Sequence, residues 1–153
     1  MPPTDLRPAT AADLPRIQVI VAEAYTPWTE VLGQRPGPLD DDYAAALAAG
    51  HVLLLDPPDA GAALGLLILI PQPDALLLDN VALADAARGR GLGRLLLDAA
   101  EEIARARGFS RLRLYTHQKM TSNIALYAAR GYAETHRVTE KGRPRVYMEK
   151  PLG

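Results

Sequence analysis

A run of glycines and arginines constrains the fold of this chain more than any other feature. The segment 88–94, RGRGLGR, lies between an apolar segment of strand character, 75–83, and a longer segment with apolar residues at helical spacing. Glycines at such a junction let the backbone turn tightly, and the free amides of the following helix point out of its positive end. The sequence therefore predicts a strand, a turn that is open to an anionic ligand, and a helix.

Three apolar segments before this turn are predicted to form an antiparallel meander. They cover 51–55, 62–70 and 75–83, and the separators 56–59 and 71–74 are rich in proline and aspartate, which favour turns. Connections this short join antiparallel neighbours, because a parallel pair needs a longer crossover.

The other predicted elements surround the meander. Upstream of it are a strand at 6–8, a helix that begins after a capping motif at Thr10 and Asp13, an ordered loop with some helix at 25–38, and a helix at 43–49. After the turn comes a helix whose apolar face is predicted to consist of Leu92, Leu95, Leu96, Ala99, Ile103 and Ala106. The last elements are a strand at 111–116, a helix at 123–129 and a hairpin of 133–138 with 145–149.

The composition excludes several classes of protein. The chain has 153 residues, the size of one domain, and its 48% hydrophobic and 23% charged residues are typical of a globular protein. It has no cysteine, which excludes disulfides, iron–sulfur clusters, thiolate zinc sites and a cysteine nucleophile. No apolar run is long enough to span a bilayer, and the first residues show no signal-peptide pattern. We therefore expect a single domain, 1–153, in a soluble cytoplasmic protein.

Charge is divided unevenly along the chain, although the net charge is only −1. Residues 1–80 carry three arginines and eleven acidic residues, a net charge of −8, whereas residues 81–153 carry a net charge of +7. A basic half suits a ligand with phosphates, and an acidic half suits a cationic ligand. Charges that only cover solvated faces would give the same counts.

Other phosphate-binding loops fit the glycine turn less well. A dinucleotide-binding fingerprint that starts at Gly89 needs a third glycine where this chain has Arg94. A P-loop ends in Gly-Lys followed by Ser or Thr, and the turn has no such ending. A pyrophosphate held by backbone amides and by the surrounding arginines fits best. A tight turn whose glycines serve only packing is the alternative.

A second motif, NIALYAARGY at 123–132, follows thirty residues after Gly93. Together with R-x-x-G-x-G at 88–93 and the strand before it, this motif resembles the GNAT superfamily of acetyl-CoA-dependent N-acyltransferases. The order of predicted elements is similar to that of the family from Leu6 to Glu149, so the resemblance covers nearly the whole chain. It implies an α/β (α+β) fold with a mixed, mostly antiparallel central sheet flanked by helices.

The resemblance also implies acetyl-CoA as a co-substrate and the place where it binds. In the family, the strand before the turn holds the pantetheine arm, the turn cradles the pyrophosphate, and the asparagine of the second motif contacts the cofactor. The matching residues are Val81, Ala82, Leu83, Arg88, Gly89, Arg90, Gly91, Leu92, Gly93, Arg94 and Asn123. Some members have a further asparagine seven residues before the tyrosine, a position that Met120 occupies here.

The motif's tyrosine, Tyr127, is by resemblance the general acid that protonates the departing CoA thiolate. A phenol with an ordinary pKa of about 10 is protonated at neutral pH and can give up its proton in the transition state. The general base stays open, because Asp79, His117, Glu30 or water alone can take the proton of the amine. An amide at Leu83 or next to it is the candidate donor to the oxyanion.

Contacts with the acceptor are expected from the early segment. Tyr25, Trp28 and Glu30 fall where the family's first two helices form one wall of the acceptor site, and aromatic faces beside acids suit a cation. Anchoring of the loop to the core is the alternative role of Trp28. Arg35 and Tyr43 are weaker candidates.

These observations predict a GNAT-type N-acetyltransferase that moves an acetyl group from acetyl-CoA to a primary amine of a small molecule or protein by direct attack, without a metal. The acidic first half favours a cationic acceptor. The first alternative is a non-catalytic acyl-CoA-binding sensor or interaction module. The second, an arginine-rich nucleic-acid binder, is disfavoured by the net charge of −1. Neither nucleic acid nor a membrane is an expected partner, and homodimers are frequent in the family.

Overall fold

A seven-stranded mixed sheet forms the centre of the computed structural model, which describes residues 6–59 and 61–153. The strands are β1 Leu6–Pro8, β2 Val52–Leu55, β3 Gly65–Pro71, β4 Leu76–Leu83, β5 Arg111–His117, β6 Ala133–Glu140 and β7 Arg143–Pro151. Their order in the sheet is β1-β2-β3-β4-β5-β7-β6, and all neighbours are antiparallel except β4 and β5. The predicted mixed, mostly antiparallel sheet is confirmed.

Five α-helices flank the sheet in the described part of the chain. They are α1 Leu14–Tyr25, α2 Thr29–Leu32, α3 Tyr43–Ala48, α4 Leu92–Ala106 and α5 Thr121–Ala129. Helix α4 connects the two parallel strands, as a crossover must, so the predicted strand–helix–strand unit is confirmed. Within 6–59 and 61–153, no helix is both long and apolar enough to cross a membrane.

Strand β3 shows how the sheet divides the core into two layers. Its side chains alternate, so Leu66 and Ile68 pack on the face covered by α1 and α3, whereas Leu67 and Leu69 pack on the face covered by α4. All four are buried. A strand that is covered on both faces has apolar residues at every position, which explains the continuous apolar run at 62–70.

The predicted apolar face of α4 is wrong toward its C-terminal end. Ala104 is buried in the structure, whereas the predicted Ala106 is exposed. The buried stripe also contains Glu101, whose carboxylate accepts hydrogen bonds of 2.8 Å from both Arg130 and Lys150. A charged residue that is paired in this way can lie on a packed face, and a search for apolar periodicity passes over it.

The segment between α1 and α3 is ordered and partly helical, as predicted for 25–38. Side-chain contacts attach it to the final hairpin. Arg143 donates a hydrogen bond to the carbonyl oxygen of Arg35 at 3.0 Å, and Gln34 donates to the carbonyl oxygen of Gly142 at 3.3 Å. The loop and the start of β7 therefore form one continuous wall beside the centre of the sheet.

Candidate active site

A β-bulge in β4 opens the sheet at its centre. The register between β3 and β4 shifts after Ile68, so that Asp79 has no partner on β3 and is an extra residue on β4. On its other side, β4 pairs with β5 only as far as Leu78 and Leu114. Beyond this pair the two strands no longer bond to each other, and a cleft of about 720 Å³ lies between them.

The cleft leaves the last part of β4 without a partner strand on one side. Val81, Ala82 and Leu83, the residues predicted to hold the pantetheine arm, line the cleft there. On the opposite side β5 contributes Tyr115 and His117. An extended chain that carries amide groups fits such an open edge, because it can form hydrogen bonds as an added strand would.

The glycine turn forms one side of the cleft mouth. Gly89 and Gly91 have φ values of 78° and 74°, and a Cβ atom on either glycine would meet no atom within 4 Å. Helix α4 begins at Leu92, and its first backbone bond runs from the amide of Leu95 to the carbonyl oxygen of Gly91. The amides that precede Leu95 are therefore free to bind an anion at the positive end of the helix.

Two of the three predicted arginines of the turn line the cleft. These are Arg88 and Arg94, whereas the exposed side chain of Arg90 lies outside the lining. Arg88 also donates to the carbonyl oxygen of Glu23 at 2.7 Å, which holds its guanidinium beside α1. Free amides, open glycines and two arginines suit a pyrophosphate, so the residues at this place fit acetyl-CoA.

Helix α5 places Tyr127 and Asn123 in the lining of the same cleft. The ring of Tyr127 packs edge-on against Tyr132, with 5.8 Å between centroids, and burial raises the pKa of the Tyr127 hydroxyl. The phenol is therefore protonated at neutral pH. Met120, at the position of the family's further asparagine, is buried, and its sulfur accepts a hydrogen bond from Thr116 at 3.2 Å.

Asp79, the bulged residue of β4, lines the cleft with a defined hydrogen-bond partner. The hydroxyl of Tyr115 donates to its Oδ1 at 2.9 Å. Burial raises the pKa of Asp79, although the hydrogen bond from Tyr115 and the charge of Arg145 oppose the shift. A carboxylate with a raised pKa is a stronger proton acceptor than an ordinary one, so the shift at Asp79 is in the direction that the predicted general base requires.

His117, the other candidate base on the strands, already uses both of its ring nitrogens. Its Nδ1 accepts a hydrogen bond from the amide of Lys119 at 3.1 Å, and its Nε2 lies 2.9 Å from Oε1 of Gln34. Since Nδ1 accepts, Nε2 carries the proton and donates it to Gln34. Burial lowers the pKa of His117, and the charges of Lys119 and Arg143 lower it further. The ring is therefore neutral and has no free acceptor for a substrate proton.

The early segment contributes two of its predicted residues to the cleft. Tyr25 and Trp28 line it, whereas Glu30 is exposed and lies outside the lining. Helix α2 buries Leu32, and a residue two positions earlier projects from the opposite side of a helix, which explains the outward position of Glu30. Arg35 also lies outside the lining, and its guanidinium forms an ion pair with a neighbouring aspartate instead.

Tyr43 is a core residue and does not line the cleft. It belongs to a chain of hydrogen bonds that the sequence analysis missed. Tyr25 donates to Oδ1 of the buried Asn80 at 2.6 Å, the amide of Asn80 donates to the hydroxyl of Tyr43 at 3.1 Å, and Tyr43 donates to the carbonyl oxygen of Pro38 at 2.6 Å. This chain holds α1, the bulge of β4, α3 and the loop together.

Three further residues of the cleft were also missed, namely Tyr115, Arg143 and Arg145. The guanidinium carbon of Arg145 lies 4.4 Å from the centroid of the Tyr115 ring. Strand alternation is the signal that could have found Tyr115, because Leu112 and Leu114 are buried in the core and the alternate residues Arg113 and Tyr115 face the other side.

Arginines outnumber carboxylates along the cleft. We call the part lined by the glycine turn and α5 the turn half, and the part lined by the 25–38 segment, β5 and β7 the loop half. Arg88 and Arg94 lie in the turn half, Arg143 and Arg145 lie in the loop half, and among the described lining residues Asp79 is the one carboxylate. The acidic residues of the first half of the chain are thus not concentrated here. In 6–59 and 61–153, no cluster of three or more histidine and acidic side chains is placed to hold a metal ion.

Comparison with known proteins agrees with this geometry. The chain matches the Acetyltransferase (GNAT) family over residues 17–132, which is most of its length. The chain belongs to this family. The GNAT resemblance predicted from the two motifs is therefore confirmed.

Two curated relatives match parts of the chain. N-alpha-acetyltransferase 80 of Mus musculus is 45% identical over 64 residues, which cover 42% of this chain and 19% of the mouse protein. The IAA acetyltransferase of Azospirillum brasilense is 41% identical over 68 residues, which cover 43% of this chain and 44% of that protein. The chain thus spans less than half the length of the curated relatives it matches.

Solved structures show the same GNAT fold over nearly the whole chain. A GCN5-related N-acetyltransferase from Rhodopseudomonas palustris is 25% identical, with a TM-score of 0.77 over 96% of this chain and 94% of that chain. The IAA acetyltransferase from Bacillus cereus is 20% identical, with a TM-score of 0.70 over 96% of this chain and 98% of that chain. The predicted fold class is confirmed by these likenesses.

Proposed function

We propose that this GNAT protein transfers the acetyl group of acetyl-CoA to a primary amine by direct attack. The observation that carries the proposal is the continuity of one cleft, which contains the glycine turn with its free amides, the open edge of β4 and the hydroxyl-bearing Tyr127. A pyrophosphate, an amide-bearing arm and a thioester need such groups in one continuous space. The acetyltransferase names of the relatives support the same reaction class.

The turn half would hold acetyl-CoA, which supplies an acetyl group activated as a thioester. The free amides before Leu95, with Arg88 and Arg94, would neutralise the pyrophosphate. The open edge formed by Val81 to Leu83 would bond to the pantetheine arm and thereby direct the thioester toward the bulge. Binding at several points along the arm would fix the reacting carbon relative to the side chains of the cleft.

The attacking amine must lose a proton before its nitrogen can form the new bond to carbon. An alkyl ammonium group with a pKa of about 10.4 is protonated at neutral pH. Asp79 would accept this proton, directly or through one water molecule, while the hydrogen bond from Tyr115 holds the carboxylate in place. His117 is less suited to the same role, because its Nδ1 is occupied by the amide of Lys119.

The departing sulfur must gain a proton when the bond between it and the acetyl carbon breaks. Tyr127 would donate this proton, because burial keeps its hydroxyl protonated until a stronger base develops beside it. The negative charge that develops on the carbonyl oxygen would be stabilised by an amide at Leu83 or next to it on the open edge.

Calorimetric titration with acetyl-CoA, followed by measurement of CoA release with a panel of amines, tests the proposal. Binding together with release for at least one amine is the expected result. Binding without release across a broad panel would support the sensor alternative instead. Absence of binding would show that the glycine turn is a packing feature and would overturn the proposed function.

A further inference from the structure

The loop half of the cleft contains an arginine that is positioned to bind an anionic group. The side chain of Arg145 is only 15% exposed, and its guanidinium stacks on the ring of Tyr115 at 4.4 Å. Its Nη1 donates to Glu140 at 3.2 Å. An added Cβ atom on Gly37 would lie 3.7 Å from its Nη2, so this nitrogen packs beside the glycine. Gly37 and Arg145 both line the cleft, so the guanidinium borders the space that a ligand would occupy.

Arg143 adds a second positive charge to the same wall. Its guanidinium binds the carbonyl oxygen of Arg35 at 3.0 Å and lies 3.5 Å from the carboxylate of Asp40, so it is held in place by the loop. A Cβ atom on Gly37 would lie 3.2 Å from its Nε. Both arginines thus surround the same small residue. Because a guanidinium presents several fixed N–H groups, it suits a planar carboxylate better than an ammonium group would.

Tyr115 connects this positive wall to Asp79. Its hydroxyl donates to Asp79 at 2.9 Å, while its ring lies under the guanidinium of Arg145. A negative and a positive group are therefore held one aromatic side chain apart in the cleft. An α-amino acid carries its ammonium and carboxylate groups on the same α-carbon, so it can face both groups together.

We infer that the acceptor is a small amine that carries a carboxylate, with the carboxylate bound by Arg145 and the amine directed at Asp79. This inference rests on the proposed function and narrows its substrate class. It also revises the expectation of a cationic acceptor. That expectation came from the acidic first half of the sequence, whereas the charged residues that line the cleft are mostly positive. The amine loses its proton to Asp79 and forms the new bond to the acetyl carbon, while the carboxylate takes no part in bond formation.

Matched pairs of acceptors test the inference. Each α-amino acid of a panel with aliphatic, aromatic, acidic and basic side chains is compared with its α-carboxamide, which keeps the skeleton and removes the negative charge. The amine of the carboxamide is the less basic one, so deprotonation alone favours the carboxamide. For at least one pair we expect kcat/KM of the amino acid to exceed that of its carboxamide by about tenfold or more. Carboxamides that equal or exceed their amino acids in every pair would overturn the inference.

Variants of Arg145 connect the preference to the residue. In R145Q we expect the KM of the preferred amino acid to rise by about 10- to 100-fold, with the carboxamide and acetyl-CoA little affected. R145K should retain part of the preference, because it keeps the charge but loses the planar fork. R137Q is the control, since Arg137 is exposed and pairs with Glu134 outside the cleft. An equal rise in KM for the amino acid and for its carboxamide in R145Q would overturn the assignment of the carboxylate site to Arg145.

Equilibrium binding separates this inference from the proposed function. Calorimetry with the preferred amino acid, on protein alone and on protein saturated with CoA, should show binding that R145Q weakens. If no acceptor releases CoA but the amino acid binds in this way, the proposed function fails and the carboxylate site stands. If amines are acetylated without regard to a carboxylate, the function stands and the inference fails. Phosphoethanolamine against ethanolamine is a further arm, and a preference for the phosphate alone would overturn the carboxylate assignment.

Discussion

The two halves of the cleft are built in different ways. The turn half comes from two short contiguous segments, the glycine turn and α5, and its glycine turn offers backbone amides to an anion. The loop half combines Tyr25 from α1, Tyr115 from β5 and Arg145 from β7, which are far apart in sequence and offer side chains. The difference shows that recognition by backbone is encoded locally, whereas recognition by side chains depends on which distant strands become neighbours.

The largest effect is expected from a negative charge in the turn half. In Gly91→Glu, the residue must adopt a φ of 74° that side chains avoid, and its carboxylate faces the predicted pyrophosphate. We expect calorimetry to show acetyl-CoA binding weakened by at least about 100-fold, which corresponds to about 2.8 kcal/mol. Gly50→Glu is the matched control, because Gly50 has a φ of 75° and open space around it but does not line the cleft. An equal loss of acetyl-CoA affinity in both variants would contradict the prediction that the glycine turn binds the pyrophosphate.

The next effect concerns the reaction itself and leaves binding in the turn half intact. Tyr127→Phe removes the proton donor, so we expect kcat to fall by about 100- to 1,000-fold while the KM for acetyl-CoA changes by less than about threefold. Tyr132→Phe is the control, since the Tyr132 hydroxyl is buried without a hydrogen-bond partner among the residues that the structure describes, and its ring packs against Tyr127. An unchanged rate in Tyr127→Phe would remove this hydroxyl from the mechanism.

The third prediction concerns how the reaction rate depends on pH. Because the pKa of Asp79 is raised, its carboxylate becomes protonated at a higher pH than an ordinary aspartate, and the rate should decline as the pH falls through this value. In Asp79→Asn we expect kcat/KM to drop by about 10- to 100-fold at neutral pH and this acidic limb to disappear. Asp74→Asn is the control, because Asp74 is exposed, pairs with Arg113 and lies outside the cleft. An unaltered pH profile in Asp79→Asn would exclude it as the base.

The smallest effect tests whether the loop half has its own structural support. Tyr43→Phe leaves the amide of Asn80 and the carbonyl oxygen of Pro38 without their partner in the buried chain of hydrogen bonds. We expect the free energy of unfolding, measured with urea, to fall by about 1–2 kcal/mol. The KM of the acceptor should rise, whereas acetyl-CoA affinity should stay unchanged. Equal weakening of both substrates would show that the two halves are coupled.

The elements of the turn half could be predicted from sequence because each one depends on its own residues. The glycine turn needs backbone freedom at Gly89 and Gly91, and the apolar run at 75–83 directly indicates the buried strand that leads into the turn. The loop half could not be predicted in the same way. The insertion of β7 between β5 and β6 brings Arg145 opposite His117, and only strand register decides this.

Buried polar residues are the other reason why predictions from the sequence differ from the structure. Asn80 and Glu101 lie where periodicity expects apolar side chains, and both are accommodated by partners from distant elements. Glu30 and Arg90 show the opposite case, because their segments were placed well but their side chains face away from the cleft. The position of a segment can therefore be predicted from its sequence pattern, whereas the direction of a single side chain can be read only from the packed structure.

The open edge of β4 also affects how this protein behaves when no ligand is bound. Most sheets have unpaired backbone only at their two outer strands, but here Val81 to Leu83 form a further edge inside the sheet. Any extended peptide could add to such an edge, so a ligand that occupies it would also protect the chain against association with other strands. Occupancy at 100 times the dissociation constant would stabilise the folded state by about 2.7 kcal/mol. If this ligand is acetyl-CoA, as proposed above, its supply would affect the stability of the protein as well as its rate of turnover.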